Sequence, residues 1–413
     1  MNDMVLFVES NTTGTGREFA RQTASLGAVP VLVTTDPDRY SYVREDGLRH
    51  VVADTSDAEE VLRVAAGLQR EGRVRGVTSS SEYYVPTAAA VARSLGLPGP
   101  DPELVSRCRN KGEQRRVLHE AGVPVPAFEV VTTEAGAVSA ATRLGLPVVV
   151  KPVLGSGSLG VRLCADERTM AEHAVELLAN TTNERGMSLP REVLVESYVR
   201  GREFSVEMFG TRVVTVVRKH VGPLPHFVET GHDVPAGLQP AERDLLGSLA
   251  QRAVQALGLG WGASHTEIRL DEGRSYVVEV NPRLAGGRIP DLVGHALGVD
   301  LVRAQVMAAL GDAVAPEPRH DHHSAIRFLT ADAPCTIGPL EEAVRSAHAV
   351  PGVVDAAMYP ATGAAAGWPV DFRDRLGHVM AVADDQEEAM AAAEAGLGRL
   401  RATLRYDEDR KMA

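Results

Sequence analysis

Glu267 and Glu279 flank a turn-like Asp271-Glu272-Gly273 in the stretch S-H-T-E-I-R-L-D-E-G-R-S-Y-V-V-E-V-N-P-R, residues 264–283. A hairpin turning near Gly273 sets the two glutamates opposite each other. Side chains two apart on a strand share a face, so Glu279, Asn281 and Arg283 project together. Converging carboxylates repel unless a cation lies between them. Two carboxylates with an amide oxygen are the hard-oxygen set that suits Mg²⁺, whose shell is completed by water and nucleotide phosphates. Taken alone, the glutamate pair also reads as a charged hairpin facing solvent. Pro282 implies a sheet edge or a strand end.

A second stretch, V-V-V-K-P-V-L-G-S-G-S-L-G-V at 148–161, runs a buried-type strand into Lys151 and then a Gly/Ser loop. Small residues let backbone N–H groups approach a phosphate, and a nearby ammonium adds charge. The Walker pattern is missing, and a mobile turn is the plainer reading of the loop. Yet only four of the 43 basic residues are lysines, at 111, 151, 219 and 411. A compact ammonium is not interchangeable with a planar guanidinium, so lysines kept in so arginine-rich a chain draw attention. A third stretch, 193–207, delivers Glu196, a short connector, Gly201 and Glu203. It reads either as a charged hairpin or as backbone for an adenine edge with a carboxylate for ribose hydroxyls. His265 shares a strand face with Glu267 and is either a substrate or phosphate contact or a structural histidine. Glu82 follows a strand end, where doubly wound sheets gather ligands, and is a candidate amine contact. The His320, His322, His323 group reads as a solvated linker rather than a metal site, and Trp261 and Trp368 as core or interface packing.

The elements that must position these residues follow from the patterning. Strand-like and helix-like runs alternate through the first hundred residues, which indicates βαβ units and a parallel sheet. Helices are predicted over about 103–120, 134–144, 167–179, 242–258, 289–310 and 386–404, and the Pro/His/Asp stretch 315–323 reads as a linker. The segment 218–233 reads as polar, irregular and His-rich. With 413 residues, two or three domains are expected. A net charge of −12 argues against a non-specific nucleic-acid binder, and no apolar run is long enough for a membrane span. Three distant cysteines without CxxC spacing fit the reducing cytoplasm better than a disulfide framework or structural zinc.

In this order, Lys111 in R-N-K-G-E, Lys151 before G-S-G-S-L-G, Glu196 in V-E-S-Y-V, Glu203 in G-R-E-F-S-V-E, and Glu267 with E-V-N-P-R at 279–283 resemble the ATP-grasp superfamily. The chain is similar to its carboxylate–amine ligases, in particular L-amino-acid (dipeptide) ligases. The resemblance implies an α/β fold: an N-terminal Rossmann-like pre-ATP-grasp domain (1–105), an ATP-grasp domain (106–314, mobile lobe about 124–198) and a C-terminal α+β domain (315–413). It implies ATP and Mg²⁺, with Mn²⁺ as a substitute. Lys111 and Lys151 would contact phosphates, and Ser156, Gly157, Ser158 and Gly160 would belong to a flexible lid. Glu196, Ser197, Tyr198 and Val199 would line the adenine, and Glu203 would bind ribose. Glu267, Glu279 and Asn281 would hold the metal. Arg283 and Arg288 would face the transferred phosphate and the carboxylate, and His220, Glu229 and His232 would be substrate contacts. The implied reaction forms an amide through an acyl phosphate on amino-acid-like small molecules, in a homodimer.

Three rival readings remain. The turn Thr13-Gly14-Thr15-Gly16 after the first strand suggests a nicotinamide-dependent oxidoreductase, but Phe19 occupies the third glycine position of that fingerprint. The stretch 325–363 also resembles C-terminal domains of biotin carboxylases and formate-dependent transformylases. A nucleotide sensor without turnover is a third possibility, disfavoured by the complete metal set.

Overall fold

The computed structural model describes residues 2–11 and 15–406. Thr13, Gly14 and Lys411 therefore lie outside the described residues.

Apolar runs near the N-terminus build a four-stranded parallel sheet in the order His50–Val52, Val29–Thr34, Asp3–Val8, Arg73–Thr78. Glu9, at the end of its first strand, is fully buried among the hydroxyls of Thr34, Thr35, Thr55 and Tyr40, a cluster the sequence did not announce.

A smaller antiparallel sheet follows, in the order Phe128–Val131, Val193–Ser197, Val148–Pro152, Arg162–Cys164. Its helices Glu134–Leu144 and Glu167–Ala179 bury alanines, Met170 and Leu178 against one face. The third unit is an eight-stranded antiparallel sheet: Arg274–Asn281, Ala263–Asp271, Arg202–Phe209, Arg212–Val221, Glu229–Val234, His323–Leu329, Gly377–Ala383, Val353–Met358. Strands from both sides of residue 315 thus share one sheet, joined where Glu229–Val234 pairs with His323–Leu329. Among the described residues, no single helix is long and apolar enough to cross a membrane.

Three expectations are corrected. The helix predicted over 103–120 is two helices, Pro102–Arg109 and Lys111–Glu120. Asn110 leaves helical geometry, and its side chain accepts from the Glu113 N–H, a capping arrangement that starts the second helix. The helix predicted over 289–310 breaks at Gly298, whose left-handed conformation (φ 66°) caps Ile289–Leu297 before Leu301–Leu310 begins at a bend of 104°. The segment read as irregular contains the strand Glu229–Val234. Its polar side chains find partners across the sheet: Asp233 accepts from Arg327 at 2.7 Å and pairs with His220 at 2.5 Å. Trp368, read as core or interface packing, is 64% exposed and so lies outside the core.

Candidate active site

A cavity of about 1010 Å³ is lined by residues of the parallel sheet, the small lobe and the eight-stranded sheet. The hairpin at its floor carries a feature on which the site turns. Pairing runs from Asp271–Arg274 through Ile268–Val277 and then slips by one residue, so Glu267 faces Glu279 and His265 faces Asn281. Val278 is the extra residue. A one-residue slip exchanges the faces of a strand, so without this bulge Glu267 would oppose Val278, not a second carboxylate. The bulge is held from behind: the fully buried Arg115 donates to the Val278 carbonyl and to Glu196.

Lys111, Lys151, Lys219, Arg283 and Arg288 each pair with a carboxylate. The Asn110 cap sets Lys111 in the first turn of its helix, with Nζ donating to the Gly155 carbonyl at 2.8 Å and pairing with Glu279 at 3.0 Å. Lys151 pairs with Glu196 at 2.5 Å. Arg283 donates through Nε to Glu82 at 3.0 Å and through Nη1 to the Leu284 carbonyl at 2.8 Å. Arg288, itself in a left-handed conformation (φ 59°), pairs with Asp355 at 2.7 Å and Asp291 at 2.9 Å. Lys219 lies within 2.6 Å of Glu267, 2.7 Å of Glu229 and 3.2 Å of Glu203. Glu203 also accepts from Arg269, and Glu229 from Arg375.

These partners set the protonation states. Burial raises the pKa of Glu82, Glu196, Glu229 and Glu267, but the neighbouring cations overcome it and hold all four below the usual carboxylate range. Burial works against the charge of Lys219, yet Glu229, Glu267 and Glu203 hold its pKa well above the ordinary value. At Lys151, burial outweighs Glu196 and moves the pKa down. His265 bridges Glu207 at 2.7 Å and Glu267 at 3.2 Å; despite burial, these carboxylates raise its pKa to about 9.

The loop over the cavity is pinned at three points. Ser156 Oγ donates to Glu82 at 2.8 Å, and Ser158 Oγ to the Phe227 carbonyl at 3.0 Å. Gly157 (φ 64°) lies flat against the Phe372 ring, where a Cβ would collide.

Of the residues singled out by sequence, most line this cavity: Lys111, Lys151, Ser156, Gly157, Ser158, Glu196, Ser197, Tyr198, Val199, Glu203, Glu267, Glu279, Asn281, His265, Arg283, Arg288, Glu82 and Glu229. Three do not line it. Gly160 packs outside against Pro152 and Leu177. His220 turns to Asp233. His232 is fully buried behind Gly287, edge-on to Phe328, with neither ring nitrogen hydrogen-bonded. The Glu196 carboxylate is committed to Arg115 and Lys151, so it positions the lysine instead of offering itself to a base. Among the described residues, no group of three or more His, Cys, Asp or Glu could hold a metal ion, the histidines at 320–323 included. The Glu267, Glu279, Asn281 set has two such residues plus an amide. Sequence reasoning missed Arg115, Lys219, Arg269, Arg375 and Phe372; only Lys219 carried a signal, the scarcity of lysine.

His232 carries a pH prediction. Burial pushes its pKa down from 6.5 to about 3. Below pH 6.5 the unfolded chain takes up a proton that the folded chain refuses until about pH 3. Stability therefore falls as pH drops through this window, by up to about 1.4 kcal/mol per pH unit. His226 shifts in the same direction, so the check is a comparison. The thermal midpoint of His232→Met should decline less between pH 6.5 and 5 than that of the wild type, and parallel declines would refute it.

A nucleotide-sized cavity under a glycine loop, with lysines and paired glutamates on facing strands, is the site of an ATP-grasp enzyme. Residues 144–291 match the ATP-grasp domain, 20–99 the ATP-grasp N-terminal domain and 327–405 the L-amino acid ligase C-terminal domain 2. The chain is 37% identical over 389 residues to an uncharacterized protein of Sinorhizobium fredii, covering 94% of this chain and 80% of that one. It is 29% identical over 314 residues to human carnosine synthase 1, covering 71% of this chain but only 38% of that protein. Its fold superposes on an L-amino acid ligase from Bacillus licheniformis with a TM-score of 0.79 at 22% identity, covering 98% of both chains. The chain belongs to the ATP-grasp family and is a carboxylate–amine ligase of the L-amino acid ligase type. The oxidoreductase and sensor readings fall with that assignment.

Proposed function

We propose that this ligase joins an amino-acid-like carboxylate to an amine through an acyl phosphate, releasing ADP and phosphate. The observation that carries the reading is the register of the hairpin, which faces Glu267 with Glu279 in a cavity also lined by Lys111 and Lys151. The donor set fits Mg²⁺, or Mn²⁺, by its chemistry: two carboxylates and the Asn281 amide oxygen are hard ligands that leave positions for phosphate oxygens and water. Held by Glu267, Glu279 and Asn281, a bound metal would supply neutralisation of the phosphate charge.

The chain's own residues supply the rest. A carboxylate is a poor acyl donor because oxide is a poor leaving group, so phosphorylation must come first. Lys111 and Lys151 offer charge to the phosphates, and Ser197 to Val199 form the connector beside the base. Glu203 is the ribose acceptor. Arg283 and Arg288 face the negative charge that develops during both transfers. The loop Ser156 to Gly160 closes over the cleft and keeps water from the acyl phosphate. Glu82, held by Arg283 and Ser156, and Glu229, held by Lys219 and Arg375, are the carboxylates we assign to a substrate ammonium, whereas His220 and His232 serve from outside the cavity wall. Domain boundaries near 105 and 315, a mobile lobe over 124–198, a cytoplasmic location and a homodimer belong to the same reading; light scattering checks the last.

The deciding experiment screens ADP release over pairs of amino acids and small carboxylates, with hydroxylamine as a trap that turns an acyl phosphate into a hydroxamate. ATP turnover that depends on a carboxylate and yields hydroxamate supports the reading. ADP release from no pair, or amide formation that consumes no ATP, overturns it. A second prediction concerns the lid. In Gly157→Ala, a Cβ meets the Phe372 ring at a backbone conformation that side chains rarely adopt. The loop is expected to stand open and KM for ATP to rise about ten-fold, with Phe372→Ala in the same chain restoring part of it, read by initial rates of ADP release.

A further inference from the structure

Among the described residues, Lys219 is the lysine that neither the phosphate contacts nor the lid accounts for. It sits on the strand Arg212–Val221, one strand away from the hairpin, and is 3% exposed. Three carboxylates surround its ammonium, and an ammonium has three hydrogens. Lys111 and Lys151 each face one carboxylate; Lys219 faces three. Its three partners belong to three different parts of the cavity under the reading above: Glu203 at the ribose, Glu267 at the metal, Glu229 at the substrate.

We propose that Lys219 is a positioning residue, the shared counter-ion that holds the ribose, metal and substrate carboxylates in place at once. The inference rests on the proposed roles of those glutamates. Without Lys219 the three carboxylates keep only Arg269, Arg375 and His265 as partners, so their repulsion of one another rises, as does their repulsion of the net negative Mg²⁺–nucleotide complex. Removal of Lys219 therefore weakens nucleotide binding through the charge balance of the cavity, and deletion of one of the three charges offsets it. A side chain that merely fills space offers no such rescue.

The test measures binding of a fluorescent ATP analogue with Mg²⁺, without other substrates, in the full chain. Lys219→Met is expected to weaken binding ten-fold or more. The double variant Lys219→Met, Glu229→Gln is expected to recover at least half of that loss on a logarithmic scale, with Glu229→Gln alone as the reference. Wild-type affinity in Lys219→Met, or a double variant no better than the single one, overturns the proposal. Should Lys219→Met not fold, Lys219→Arg is read the same way. A planar guanidinium keeps the charge but does not present one nitrogen to three carboxylates; weaker binding is expected, and unchanged binding overturns the proposal. Failure of the wild type to bind the analogue at all would instead count against the functional reading.

Discussion

Glu279→Gln is expected to lower kcat for ATP-dependent ligation about a thousand-fold at saturating ATP and Mg²⁺, the order seen when a preorganised charge stabiliser is removed. The substitution is isosteric, so Glu267 still faces a side chain of the same length across the hairpin. What changes is charge. One of two carboxylates available to the metal is lost, and Lys111 loses the anion it pairs with at 3.0 Å. The Mg²⁺ concentration for half-maximal rate should rise as kcat falls, while the circular dichroism spectrum stays that of the wild type. A rate within ten-fold of wild type would remove Glu279 from the metal site.

The second large effect concerns Arg283. Its guanidinium grips Glu82 of the N-terminal unit through two nitrogens and holds the Leu284 carbonyl with a third. A fork of this geometry has no lysine equivalent. Arg283→Lys is therefore expected to lose about a hundred-fold in kcat although the charge is kept, because the ammonium cannot brace Glu82 and face a developing negative charge together. Both kcat and KM for the amine should move if Glu82 receives the substrate ammonium. A variant with normal kcat and a raised KM alone would make Arg283 a binding group.

Much of this site was legible in the sequence because its signals are local. Alternating apolar residues around Asp271-Glu272-Gly273 specify a hairpin, and period-two spacing sets which residues share a face within each strand. The bulge at Val278 was not legible. It is held by Arg115, more than 160 residues earlier in the chain, and such distant contacts leave no local pattern. The break at Asn110 was readable only as one more polar residue in a helical run, since Asn caps and Asn interior positions look alike until the backbone turns. The strand Glu229–Val234 hid behind its composition: a Glu-Thr-Gly-His-Asp run has poor strand propensity, and cross-strand partners, not propensity, make it a strand. Lys219 stood out by rarity, but its three partners come from three strands and only the assembled sheet brings them together.

The seam between Glu229–Val234 and His323–Leu329 bears on how this enzyme can be re-engineered. Removing everything beyond the 312–322 segment, which looks like the natural joint, would strip four main-chain pairings from Glu229–Val234 and leave a raw sheet margin. That margin would lie beside Lys219 and Glu229, at the heart of the chemistry. Chimeras meant to borrow a relative's C-terminal unit should carry the relative's version of this strand with it, so that both sides of the seam come from one parent.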